Sequence, residues 1–220
     1  MDQGRGAANV SQGRQAGHTG DEQYFSAQPG SPDVRRTINV TLAGRPVKVQ
    51  VSNGVFSSSR LDLGTSVLLK RAPEPPESGD FLDLGCGWGP IALELALLRG
   101  KARVWAVDVN ERALDLTRAN AQTNGLTNIR ATLPDDLPGG QGFDLIWSNP
   151  PIRVGKAVLH QLLMDYLPRL NPGGAAYLVV QRNLGSDSLI TWLSSQMPTD
   201  WGVAKYASAK GYRVIEVARP

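Results

Sequence analysis

Cysteine is nearly absent from this chain. Cys86 is the only one in 220 residues, so neither a disulfide framework nor a cysteine-based zinc site can be built. Histidine is almost as scarce: His18 and His160 are the only two, and they carry no metal-ligand spacing, so no metal site is expected. Long apolar runs are missing as well. The longest nearly apolar stretch, Pro90 to Leu98, is broken by Glu94 and falls far short of the ~20 residues that cross a bilayer. The opening MDQGRGAANV has none of the apolar core of a secretory signal. These absences predict a soluble chain of a reducing compartment, the cytoplasm.

What is present suits one ordinary domain with a small appendage. Apolar residues make up 41% of the sequence, enough for a single packed core, and 24 glycines with 15 prolines announce many tight connections. Charge is unevenly distributed: Lys and Arg against Asp and Glu give +3 over residues 1–75, −4 over 76–150 and +4 over 151–220. An acidic middle between basic flanks would let the middle hold a cationic cofactor while the flanks meet phosphates. Scattered surface charge explains the same numbers equally well.

Residues 1–22, mostly Gly, Gln, Ser and Ala, cannot bury enough surface to offset their ordering entropy, and a disordered tail is expected there. Residues 23–78 read as an N-terminal extension and linker. In it, Thr37–Leu42 and Val47–Val51 alternate apolar and polar residues like the arms of a β-hairpin, and a short helix over Thr65–Lys70 precedes the Pro-rich Ala72–Ser78. From residue 79 to 220, strands alternate with helices, which predicts an α/β, Rossmann-like fold with a mostly parallel sheet covered on both faces. The run ending at Ile215 has no helix between it and the strand before, so a terminal antiparallel strand at the sheet edge is expected.

Asp83-Leu84-Gly85-Cys86-Gly87-Trp88-Gly89 ends the first strand of that alternation and opens a helix. Glycines at such a point let a ligand approach the backbone, and ligands bind at the carboxyl ends of parallel strands. Asp108 ends the next strand, where a carboxylate can accept hydrogen bonds from ribose hydroxyls. A dinucleotide loop reads G-x-G-x-x-G and brings a pyrophosphate to the helix N-terminus. Here the pattern is G-x-G-x-G behind an acid, Asp83, which repels pyrophosphate and suits an ammonium and a sulfonium. S-adenosylmethionine is therefore the expected cofactor. Asp135, after the third strand, could accept the adenine amino hydrogen, while Asp136 is suited to cap the turn.

Asn149-Pro150-Pro151-Ile152-Arg153 directly follows the fourth strand. The prolines fix the backbone, and the Asn149 carboxamide oxygen can converge with the Pro150 carbonyl as two acceptors. An exocyclic NH₂ needs such a pair: its lone pair is delocalised into the ring, and holding both N–H bonds out of plane localises it toward a methyl donor. A thiol nucleophile made of Cys86 and His160 is not expected, since a cysteine between glycines fits as a small turn residue.

At these residues the chain resembles the class I S-adenosylmethionine-dependent methyltransferases of the small-domain family, and within it the rRNA guanine-N2 methyltransferases of the small ribosomal subunit. The likeness runs from Tyr24 to the C-terminus and includes Gly54-Val55-Phe56-Ser57, Leu61-Asp62-Leu63-Gly64-Thr65 and Leu170-Asn171-Pro172-Gly173-Gly174. It implies a seven-stranded sheet with an antiparallel last strand. It also implies a cofactor held by Asp83, Gly85, Gly87, Asp108, Asp135 and Thr65, and a target amine at Asn149 and Pro150. Phe56, Pro151, Ile152 and Arg153 would meet the base of an RNA partner. Many relatives carry an aromatic after the two prolines; here it is Ile152, so stacking would fall to Phe56, the Arg153 guanidinium or an apolar wall. Methylation of a protein glutamine amide, methylation of a small-molecule amine and a nonenzymatic RNA-binding module stay open beside this reading.

Overall fold

The computed structural model describes residues 30–220; the predicted tail and His18 lie outside them. Strands β1 (Arg35–Leu42) and β2 (Arg45–Ser52) form the expected antiparallel hairpin. Its two-residue turn, Ala43-Gly44, has positive φ at both positions (48° and 72°), the geometry that matches the twist of a hairpin. Helix α1 (Leu63–Arg71) follows, starting two residues before the sequence-based boundary because the Asp62 carboxylate caps it by accepting the Thr65 N–H at 3.0 Å.

The alternating part contains β3 (Asp80–Leu84), α2 (Pro90–Leu98), β4 (Arg103–Val107), α3 (Glu111–Thr123), β5 (Ile129–Thr132) and β6 (Phe143–Ser148). It continues with α4 (Lys156–Tyr166), β7 (Leu170–Gln181), α5 (Ser186–Gln196), β8 (Gly202–Ala209) and β9 (Tyr212–Ala218). One seven-stranded sheet results, in the order β5-β4-β3-β6-β7-β9-β8, with only β9 running against the rest. The last strand is antiparallel as expected, but it is not an edge. It inserts between β7 and β8, because Val214, Ile215 and Val217 are completely buried while β8 is exposed along most of its length. The more polar strand takes the edge, where side chains remain wet.

Apolar clusters cover both faces of the sheet. One lies beneath α4 and α5; the other lies beneath α1 and α2 and includes Val67, Leu68, Phe81, Ile91 and Val179. The hairpin rests on a third cluster, formed with Trp88 and Leu93 and with Ala113 and Leu116 of α3. Among the described residues, no helix is long and apolar enough to cross a membrane.

Candidate active site

The strand order reverses between β3 and β6, so their carboxyl ends diverge into a crevice at the place where open α/β sheets bind ligands. The residues between β3 and α2 begin it. Gly85 and Gly87 have φ of 76° and 56°, a left-handed backbone that side chains resist. A Cβ built on Gly85 would meet no atom within 4 Å, and one on Gly87 would meet only Val55 Cγ1 at 4.0 Å. Protein packing does not demand glycine at these two positions, so the space beside them is free for a ligand. Gly89 differs: a Cβ there would strike Thr117 Oγ1 at 2.8 Å, so this glycine lets α2 pack against α3.

Asp108, at the end of β4, is half-buried and tied to the loop: its Oδ2 accepts the Gly87 N–H at 2.9 Å and its Oδ1 accepts the Asn110 N–H at 2.9 Å. Burial raises its pKa, and the backbone N–H groups that it accepts oppose the rise. Asp83 lies deeper, with no exposed surface. Its Oδ2 accepts the Ala92 N–H at 2.9 Å, serving α2 as the cap that Gly89 has no side chain to provide, while Oδ1 has no partner among the described residues. Desolvation, with a smaller push from the Asp108 charge, raises this carboxyl to about 8. Cys86 is buried beside Thr117, and burial pushes its thiol well above the usual range; His160 instead stacks on Trp192 at 3.5 Å between ring centroids.

A narrow cleft opens above the loop, lined by Phe56, Ser57, Asp62, Thr65, Gly85, Cys86, Gly87, Trp88, Pro90, Ile91 and Asn149. Five of the residues singled out in the sequence thus share one lining: Phe56, Thr65, Gly85, Gly87 and Asn149. Phe56 is 46% exposed at its lip. The indole N–H of buried Trp88 donates to the Ser57 carbonyl at 3.2 Å, fixing the segment that carries Phe56. The other sequence-derived residues are not part of this lining. Pro150 is buried, and Pro151, Ile152 and Arg153 begin a short 3₁₀ turn in which Ile152 packs against the core beneath α4 and Arg153 is exposed. Asp135 is exposed in the turn after β5; that turn is closed by the Asp136 N–H on the Leu133 carbonyl at 3.2 Å, with neither acid side chain capping it.

Asn149 is anchored by a residue to which the sequence reading gave no role. Its Nδ2 donates to Asp62 Oδ2 at 2.9 Å and to Thr65 Oγ1 at 3.0 Å. A carboxylate only accepts, so the atom facing Asp62 must be the nitrogen, and the carboxamide oxygen is turned the other way. The signal for Asp62 was legible as an acid three residues before Thr65, a helix-cap pattern, but nothing in the sequence relates positions 62 and 149.

These features fit S-adenosylmethionine. The loop's open glycines admit a ligand backbone-close, the Asp108 carboxylate retains acceptor capacity for ribose hydroxyls, and one acid, Asp62, lines the cleft.

Comparison with known proteins agrees with this geometry. The family model described as the methyltransferase small domain matches residues 46–216. A Bacillus subtilis (strain 168) protein, the uncharacterized YbxB, is 33% identical over 201 residues, covering 90% of this chain and 98% of its own length. The ribosomal RNA small subunit methyltransferase C of Hahella chejuensis is 41% identical over 137 residues, covering 60% of this chain, whereas the match covers only 39% of that protein. Among solved structures, the 16S rRNA N2 G1207 methyltransferase of Thermus thermophilus, determined with AdoMet and guanosine, superposes with a TM-score of 0.69 over 86% of this chain and 52% of its own; at 24% identity this is a likeness of fold. Loop, crevice, topology and family match agree: this chain belongs to the methyltransferase small-domain family and is an S-adenosylmethionine-dependent methyltransferase.

Proposed function

We propose that this protein methylates an exocyclic amine of a ribosomal RNA base, guanine N2 of the small subunit, in the cytoplasm. One observation carries the reading: the Asn149 carboxamide is held by its nitrogen on Asp62 and Thr65, which leaves Oδ1 as an oriented acceptor at the cleft. Pro150 has no N–H and offers only a carbonyl. Two fixed acceptors take the two N–H bonds of an aromatic amine and draw its lone pair out of conjugation, so the nitrogen gains nucleophilicity without a strong base. Bound S-adenosylmethionine supplies an electrophilic methyl carbon on a sulfonium. Asn149 and Pro150 would hold the amine nitrogen with its lone pair toward that methyl group, and the proton the nitrogen sheds would leave to solvent. Phe56, exposed at the lip of the cleft, would stack on the base, as would the Arg153 guanidinium of the turn after Pro151.

The charge around the mouth supports RNA as the substrate. Exposed Arg153, Lys156, Arg182 and Lys210 stand at the carboxyl ends of the β6–β8 half of the sheet, while exposed Glu111, Asp135 and Asp136 stand at the β4–β5 half. Phosphates would lie over the former and the cationic cofactor nearer the latter.

Replacing Asn149 with Ala is expected to leave S-adenosylmethionine affinity intact by calorimetry and to lower methyl transfer by about 100-fold or more, the scale seen when an oriented polar group is removed from a reacting centre. Unchanged turnover would contradict the assignment. Tritiated cofactor offered separately to undermodified ribosomal subunits and to release factors identifies the acceptor; label in a protein glutamine would replace the RNA reading.

A further inference from the structure

Resting on that reading, we infer that Asp62 selects the base: its second oxygen, Oδ1, accepts the ring N–H beside the target amine, which makes the site specific for guanine over adenine and cytosine. Asp62 lines the cleft next to Asn149. Its Oδ2 is occupied twice, by Asn149 Nδ2 at 2.9 Å and by the Thr65 N–H at 3.0 Å, and these two bonds fix the plane of the carboxylate. Both hydrogens of Asn149 Nδ2 are used, on Asp62 and Thr65, and the prolines that follow have no N–H to give. On this reading the acceptors that would meet the base are Asn149 Oδ1, the Pro150 carbonyl and Asp62 Oδ1, to which neither Thr65 nor Asn149 donates.

The bases respond differently to such a row. Guanine presents its amine and N1–H side by side, an uninterrupted series of donors. Adenine and cytosine present an amine next to a bare ring nitrogen, whose lone pair would face the Asp62 carboxylate. A glutamine side chain is mismatched in the same way, since its NH₂ is flanked by a carbonyl oxygen. A site that must hydrogen-bond one edge rejects an edge lacking the donor far more strongly than it rejects a change of shape, because a buried acceptor is left opposite an acceptor.

The experiment has two stages. First, unmodified transcripts of the small- and large-subunit rRNA are incubated with the protein and labelled cofactor, then digested to nucleosides. Label in N2-methylguanosine is expected; label confined to N6-methyladenosine or N4-methylcytidine, or none in RNA, overturns both the guanine assignment and the role of Asp62. Second, an oligonucleotide spanning the labelled position is made with guanosine or with 2-aminopurine riboside there, which keeps the C2 amine and removes the N1 hydrogen. Wild-type kcat/KM is expected to fall about 100-fold on this change. In Asp62→Asn the side-chain oxygen still accepts from Thr65 and Asn149 while an NH₂ replaces the second oxygen, so the ratio between the two oligonucleotides should shrink at least about tenfold. A wild-type ratio near one, or a ratio that Asp62→Asn leaves unchanged, overturns the proposal while guanine labelling keeps the underlying reading intact. Loss of S-adenosylmethionine affinity in Asp62→Asn with an unchanged ratio would assign the carboxylate to the cofactor and overturn it equally.

Discussion

Asp83 is a carboxyl group without exposed surface, with one oxygen on the Ala92 N–H and the other on nothing; beside it in the sheet, Trp147 has a buried indole N–H also lacking a partner among the described residues. The folded chain keeps the Asp83 proton up to about pH 8, whereas an unfolded Asp loses it near its ordinary value of 3.8. Between those limits the folded state binds more protons than the unfolded one, so this group makes stability fall as pH rises, and the loss is complete above pH 8. Burial of Glu94 and Asp108 works in the same sense, while Asp80 and Asp33, held low by arginine or hydroxyl partners, act oppositely and only in acid. Asp83→Asn is expected to keep the Ala92 bond and flatten the decline, so that its melting temperature exceeds that of the wild type at pH 9 but not at pH 5. Parallel melting curves for the two proteins across that range would show that Asp83 does not titrate there.

The hairpin and α3 make the clearest case at the scale of elements. β2 is an edge strand of a two-stranded sheet, a unit too small to be stable alone. It is held by Asn120 of α3, which accepts the Gln50 N–H at 2.6 Å and donates to the Gln50 carbonyl at 3.0 Å and the Trp88 carbonyl at 2.9 Å. Buried Glu94 of α2 accepts the Ala43 N–H at the turn. Removing Asn120 leaves several backbone groups unpaired. Asn120→Ala is therefore expected to cost about 2–3 kcal/mol in denaturant unfolding and to speed hydrogen exchange at Gln50. Because the chain passes from β2 through Phe56 to Asp62, methyl transfer should fall even where the main sheet stays folded. Exchange accelerated uniformly over the sheet would mean that the hairpin is not a separately loosened unit. The sequence announced the hairpin through its alternation of apolar and polar residues. It gave no sign of Asn120, which resembles any polar residue within a helix.

At the scale of the molecule, the basic flank and acidic middle of the linear sequence become two halves of one sheet edge. Parallel strands all deliver their C-terminal residues to the same rim, and the strand order sends residues 151–220 to one side of Asn149 and residues 108–136 to the other. If RNA follows the basic half, replacing Lys156, Arg182 and Lys210 together with Ala should weaken RNA binding and make the slope of log affinity against log salt shallower by about 2, as expected for three lost phosphate contacts. S-adenosylmethionine affinity should not change. A slope equal to that of the wild type would direct the RNA backbone elsewhere.

The sequence alone determined whatever depends on near neighbours: the alternation of strand and helix, the glycine turn after β3, the acid ending β4, the rigid Asn-Pro-Pro and the turn of the hairpin. Each is specified by residues within a few positions, where backbone sterics and apolar periodicity act directly. Tertiary structure alone decided that β9 enters between β7 and β8, that Asp83 keeps its proton, and that Asp62 takes hold of Asn149 across 87 residues of chain. Those outcomes depend on which surfaces are excluded from water and which polar groups are left facing one another once the sheet has closed, and no local pattern records either.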